Sequence, residues 1–154
     1  MSEQLLRIKK ELYNYCVEYI QTRISNSMRA IESAREAPEA ETKSSAGDKY
    51  ETGRAMMQLQ IEQHAIQLSG SMKLKQALAQ ISISDKSTSV QPGSVVVTEK
   101  EIVFIAISIG NVTLRNQRFV IVSPGSPLGA SLMGRKAGDT FTFMDRRGIV
   151  KEVI

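Results

Sequence analysis

The 154-residue sequence holds one cysteine, one histidine and no tryptophan, and aromatic residues make up 5% of it. The single thiol, Cys16, leaves no internal disulfide framework and no zinc-finger spacing. One imidazole, His64, cannot build a histidine metal cluster. So few aromatics make a stacking platform for single-stranded nucleic acid a weak expectation. No apolar run approaches the roughly 20 residues that a membrane span needs. The opening MSEQLLRIKKELYNY scatters its charges and does not read as a secretory signal. P-loop, G-x-S-x-G and H-E-x-x-H motifs are all missing, so phosphate cradling and self-contained hydrolysis are not expected. A soluble cytoplasmic protein is the expectation.

What is present points to a folded chain. Hydrophobic residues are 42% and charged residues 23%, a balance that excludes global disorder. The net charge of +4 is unevenly placed. Residues 1–85 carry 11 Lys and Arg against 11 Asp and Glu, whereas residues 86–154 carry 9 against 5. An acidic stretch, Glu32 to Glu51, interrupts the neutral half. A basic C-terminal part and an acidic middle suit different partners, or different regions of one partner.

From Ser2 to about Arg35 there is neither Gly nor Pro. Leu5, Ile8, Leu12, Cys16, Tyr19/Ile20, Ile24, Met28 and Ile31 recur at spacings of three and four, the signature of one apolar helical stripe. The stripe is expected to end near Pro38, because a proline ring does not fit inside a helix. A polar turn, EAETKSSAGD, follows. A second helical pattern runs through Met56, Leu59, Ile66, Leu74, Leu78 and Ile81, with Gln63 and Gly70 in heptad slots. Two stripes joined by a short polar tip predict an antiparallel helical hairpin over residues 1–85, with its acidic tip near 36–51. Each arm of about 33 residues would be roughly 50 Å long. Ser45 and Asp48 fit a capping box, which would put Asp48 and Glu51 on one face of the second helix's first turn. Capping and a favourable macrodipole account for both carboxylates without any ligand. Cys16 reads as a small core residue, and His64 as a boundary residue.

Residues 86–94 read as a linker. Beyond them the period changes to two, and Val95–Thr98, Ile102–Ser108, Arg118–Val122, Thr140–Met144 and Ile149–Val153 predict strands. One short helix interrupts them: Ser126 can N-cap it, Pro127 takes its first position, and Gly134 closes it. Gly138 and Asp139 mark a turn. The fold class is α+β, a coiled-coil hairpin followed by a small antiparallel sheet domain, residues 95–154, with one helix.

Two segments carry a family resemblance. SPLGASLMGRKAGDTF, residues 126–141, resembles the C-terminal signature of the Gre-type transcription elongation factors through Ser126, Pro127, Leu128, Leu132, Met133, Gly134, Gly138 and Asp139. Gly47-Asp48-Lys49-Tyr50-Glu51 is similar to that family's G-D-x-x-E at the coiled-coil tip. The order of parts, hairpin first and FKBP-like sheet second, matches too. The resemblance implies a factor that binds bacterial RNA polymerase through the sheet domain and inserts the coiled coil into the secondary channel. It implies that Asp48 and Glu51 help hold a Mg²⁺ shared with the polymerase, which then cleaves backtracked RNA. No cofactor is expected on the isolated protein, which is expected to be a monomer and not itself an enzyme. Lys49, Tyr50 and Arg54 are candidates for contact with RNA or polymerase, and contact with nascent RNA and DNA would be indirect. After the D-x-x-E, Thr52, Gly53 and Arg54 depart from the family pattern. The alternative is a secondary-channel regulator that binds polymerase without stimulating cleavage. A prolyl isomerase is a further rival, because FKBP-like sheets host that activity, but Phe141 and Phe143 share a face that the core can claim.

Overall fold

The computed structural model describes residues 2–41, 47–84 and 87–154, with side chains for 3–36, 52–84 and 87–154. Helix α1 spans Ser2–Glu41 and helix α2 spans Gly47–Ala79. Strands β1 (Val95–Thr98), β2 (Ile102–Ile105), β3 (Gly110–Leu114) and β4 (Gln117–Val122) follow, then helix α3 (Pro127–Leu132) and strands β5 (Thr140–Phe143) and β6 (Arg146–Val153). The fold is thus a long N-terminal helical hairpin and a six-stranded, mostly antiparallel sheet with one short helix. The chain divides into two compact units, Met1–Val17 with Ala77–Ile154, and Glu18–Gln76. Among the described residues, no helix is long and apolar enough to cross a membrane.

The first unit is built on the sheet, ordered β3-β4-β2-β1-β6-β5. Every pairing is antiparallel except β2 with β4, where Ile102–Ile105 runs parallel to Phe119–Val122. Val95, Val96, Val103, Phe104, Phe119 and Ile121 are all essentially inaccessible, so both sheet faces are covered. On one face Val90, Val96, Val103, Ile105 and Val150 pack with Leu128 and Leu132 of α3. Burying an aliphatic side chain of this size contributes roughly 1.5–3 kcal/mol, so this cluster contributes substantially to the stability of the unit. Beside the opposite face, Ile8 of α1 shares a small cleft with Phe119, and Glu11 pairs with Arg115 at 2.6 Å. Tyr13 also donates its hydroxyl to the Leu78 carbonyl at 3.3 Å.

Cys16 is fully buried on α1, and burial pushes its thiol up from 9.0 to about 12, since a thiolate there would lose its hydration. It is a core residue, and a thiol held neutral by burial is inert.

Several expectations are corrected. Helix α1 does not stop at Pro38 but continues to Glu41. Near a helix end, the missing N–H of a proline removes only one ladder bond, that of the residue 34 carbonyl, so the last turn survives. On α2, Met56, Leu59 and Ile66 are 60%, 55% and 73% exposed. Along α2 the covered positions include instead Met57, Ile61, His64 and Leu68, half-buried, and Ser71, buried, while the expected Leu74, half-buried, and Leu78, buried, are covered as well. This second series also keeps spacings of three and four, and periodicity alone cannot choose between two such stripes on one helix. Met28 is likewise exposed on α1, with Ser27 buried in its place.

Residues 87–94, expected as a linker, are built into the sheet unit. Val90 is buried; its N–H donates to the Arg135 carbonyl and its own carbonyl accepts from Gly134. Strand β3 was not among the expected strands. Its outward residues, Asn111 and Thr113, are polar, and only Val112 is buried. The turn that joins it to β4 is Arg115-Asn116, with φ of 51° and 62°. That is the geometry of a two-residue primed turn, but it lacks the Asn-Gly or Asp-Gly pair that advertises one.

Candidate functional site

The Ser126–Asp139 segment is held by a closed set of short-range bonds. Ser126 caps α3: its Oγ accepts from the Gly129 N–H at 3.1 Å and donates to the Ser123 carbonyl at 2.7 Å. Pro127 occupies the first turn, where no N–H is needed. Gly129 is the only residue type that fits its place, because a Cβ there would collide with the Ser123 carbonyl oxygen. After the helix, Gly134 has φ of +79° and donates its N–H to Val90. Gly138 donates to the Val150 carbonyl, and Asp139 Oδ2 accepts from the Lys136 N–H at 2.8 Å. These bonds fix α3 and the turn into β5 within the unit.

Beside this segment lies a groove of about 440 Å³. Leu128 of α3 and the half-buried Phe141 and Phe143 of β5 line it, and Met144, 79% exposed, stands in the turn to β6. The charged residues along it are Arg146 and Arg147 on β6 and Glu99, Lys100 and Glu101 in the β1–β2 turn. Phe141 lies directly over Gly148, its register partner on β6. Thr98 shapes the β1–β2 turn, its hydroxyl donating to the Glu101 carbonyl and accepting from the N–H groups of Lys100 and Glu101. The groove residues outside the Ser126–Asp139 motif were missed as a site in the sequence. Their one signal is an alternating Phe141-x-Phe143 followed by an apolar residue at a turn, Met144, and two arginines.

The remaining expected site residues lie in the other unit. Asp48, Lys49, Tyr50 and Glu51 fall in the first turn of α2, and their side chains lie outside the described residues, as does the expected cap Ser45. Arg54 is exposed on α2. Positions 48–54 therefore belong to the unit Glu18–Gln76, whereas Ser126, Pro127, Gly134, Gly138 and Asp139 belong to the sheet unit. Among the described residues no group of three or more His, Cys, Asp or Glu could hold a metal ion.

No protein-family model matches the chain, and no curated protein matches it. Among solved structures, Gfh1 of Thermus aquaticus is 17% identical, with 89% of this chain and 92% of that one covered at a TM-score of 0.34. A structure of the transcription factor Gfh1 is 17% identical over 88% and 91% at the same TM-score. The GreA factor homolog 1 (Gfh1) protein of Thermus thermophilus is 14% identical over 92% and 94%, again at 0.34. At these values the likenesses carry no argument about what this chain does.

Proposed function

We propose that the chain is a Gre-type factor that binds bacterial RNA polymerase through its sheet unit and enters the secondary channel with its helical hairpin. There it stimulates cleavage of backtracked RNA. The observation that supports this reading is the joint placement of two motifs. Gly47-Asp48-Lys49-Tyr50-Glu51 opens the second of two long helices, and Ser126–Asp139 forms the cap, short helix and turn of a small sheet. A helix of 33 residues extends about 50 Å, enough to carry a motif at its start deep into a narrow pore.

The donor chemistry is compatible with the implied metal. Asp48 and Glu51 offer hard carboxylate oxygens, and Mg²⁺ is held in phosphoryl sites by one or two carboxylates and several waters. A second Mg²⁺, when bound, supplies charge stabilisation and an activated water for phosphodiester hydrolysis. The part of this chain is to bring Asp48 and Glu51 beside ligands that the polymerase already owns. Lys49, Tyr50 and Arg54 stand near them in sequence and would contact RNA or polymerase. The protein supplies no complete active site of its own.

The test is a cleavage assay on stalled, backtracked elongation complexes. Addition of the protein should shorten the RNA from its 3′ end, and Asp48→Asn and Glu51→Gln should each abolish the shortening while polymerase binding persists. Inhibition of synthesis without shortening would instead establish a secondary-channel regulator. The Thr52-Gly53-Arg54 run after the acidic pair favours that second reading, since it replaces residues usual in the family.

A further inference from the structure

Helix α2 is apolar on two opposite faces. Met57, Ile61, His64 and Leu68 form one row, half-buried. Met56, Leu59 and Ile66 form a second, 60%, 55% and 73% exposed. With the exposed Gln63 and Gly70, this second row repeats at intervals of three and four, the spacing of a heptad seam. Its flanks are almost without charge. Residues 55–72 of α2 hold one Asp, Glu, Lys or Arg, which is Glu62; an equal span of α1, residues 18–35, holds five, Glu18, Arg23, Arg29, Glu32 and Arg35. Helix α1 thus has the charged outer face of a solvated helix, and α2 has the surface of a helix packed on both sides. Gly70 points the same way. A glycine inside a helix is destabilising, and a Cβ at Gly70 would meet nothing within 4 Å, so no close approach within the chain requires it.

We infer that this outer row is a seam at which two copies of the chain pair, parallel and in register. A partner for the row must be a helix with an apolar heptad repeat of the same length, about 27 Å for residues 55–72, and with flanks equally free of charge. A second copy offers both by construction, and Gly70 lets the two backbones approach closely. Gln63 sets the register. An amide at one core position of a heptad seam costs stability unless it is hydrogen-bonded, and two copies in register bring Gln63 to Gln63. Charge sets the direction. With Met56, Gln63 and Gly70 at a and Leu59 and Ile66 at d, Glu62 takes a g position and Gln67 the following e position. A parallel pair sets Glu62 beside Gln67 of the second copy, whose amide N–H can donate to the carboxylate. An antiparallel pair about the same centre would set Glu62 against Glu62. Size sets the strength. A seam of about 27 Å by 10 Å falls well below the roughly 800 Å² per partner of a standard interface, so the dimer is weak, with a Kd of about 10–100 µM. Pairing needs no polymerase, so it stands or falls apart from the proposed function.

Sedimentation velocity of the full-length chain, from about 1 µM to about 1 mM, should show monomer passing to dimer as concentration rises. Ile66→Glu, which puts a charge in the seam at an exposed position, should leave the helicity by circular dichroism unchanged and weaken pairing about tenfold or more. Gln63→Leu, which replaces the seam's amide by an apolar side chain, should tighten pairing about tenfold. Under oxidising conditions Met56→Cys should cross-link two copies, because the parallel register brings the two positions together, and the buried Cys16 takes no part. A wild type that stays monomeric over the whole range overturns the proposal. So does a dimer that Ile66→Glu leaves intact, that Gln63→Leu weakens, or that Met56→Cys fails to cross-link.

Discussion

Replacing Gly148 by alanine probes how tightly the β5–β6 pair is packed. A methyl group at this position would stand 2.5 Å from Phe141 Cζ and 2.7 Å from Cε1. Carbon atoms rest at about 3.5–4.0 Å, so the ring must retreat by roughly 1 Å. It cannot do so freely, because Phe141 is half-buried and packs against the cluster of Val96, Val150 and Leu132. Overpacking of this kind costs about 1–3 kcal/mol. The lost freedom of the unfolded chain on going from Gly to Ala offsets about 0.4–1 kcal/mol. The net expectation is destabilisation by about 1–2 kcal/mol, a fall in melting temperature of roughly 2–8 °C for a chain of this length. Differential scanning calorimetry gives the temperature. Amide exchange at Val150, whose N–H bonds the Asp139 carbonyl at 2.8 Å, localises the effect. Adding Phe141→Leu, which removes the ring edge, should make the double variant lose less than the two single losses combined. An unchanged melting temperature with unchanged exchange at Val150 would refute the packing argument.

Three further outcomes follow from the geometry. Ser126→Ala removes the cap of α3 and should cost about 1 kcal/mol, whereas Ser126→Asn, which keeps a capping oxygen, should cost little; equal losses in urea titrations would show that the cap is not the source. Ser71 is buried with no hydrogen-bond partner for its hydroxyl among the described residues, so Ser71→Ala should stabilise the protein by about 1 kcal/mol, and a lower melting temperature would reveal a bond that the hydroxyl needs. The Cys16 thiol is held protonated by burial, with its value raised from 9.0 to about 12. The folded state therefore favours the neutral form. Its contribution to stability is complete below pH 9 and is lost as pH rises from there towards 12. At pH 8 a disulfide reagent should label Cys16 only as fast as the protein opens, and labelling at the rate of a free thiol would contradict its burial.

Much of the fold was legible because its signals are local. The Gly-free and Pro-free run from Ser2 made α1 plain, and β-branched clusters such as Val95-Val96-Val97 marked the sheet. Ser126-Pro127, with Gly134 and Gly138-Asp139, wrote α3 and its flanking turns into the sequence. Other features depend on partners distant in the chain. Which stripe of α2 turns inward is settled by packing, so Ile66 and Ile61 could not be ranked beforehand. Val90 looked like part of a linker because its neighbours are Ser, Thr and Gln, yet its backbone bonds reach Gly134 and Arg135. The candidate groove was hidden for the same reason: Lys100, Leu128 and Arg147 come from three separate elements, and no spacing connects them. Asp48 and Glu51 were found only through resemblance, since capping explains the same residues equally well.

The strand order has a bearing on how the sheet comes into being. β1 is flanked by β2, its immediate successor, and by β6, which follows about fifty residues later; at 5–20 residues per second that is roughly 3–10 s of synthesis. During that interval one edge of β1, rich in valine, has no mate. A nascent chain must shield this sticky border, by transient cover or by a chaperone, until its late neighbour arrives. Any truncation that removes β6 makes the wait permanent and leaves an aggregation-prone fragment.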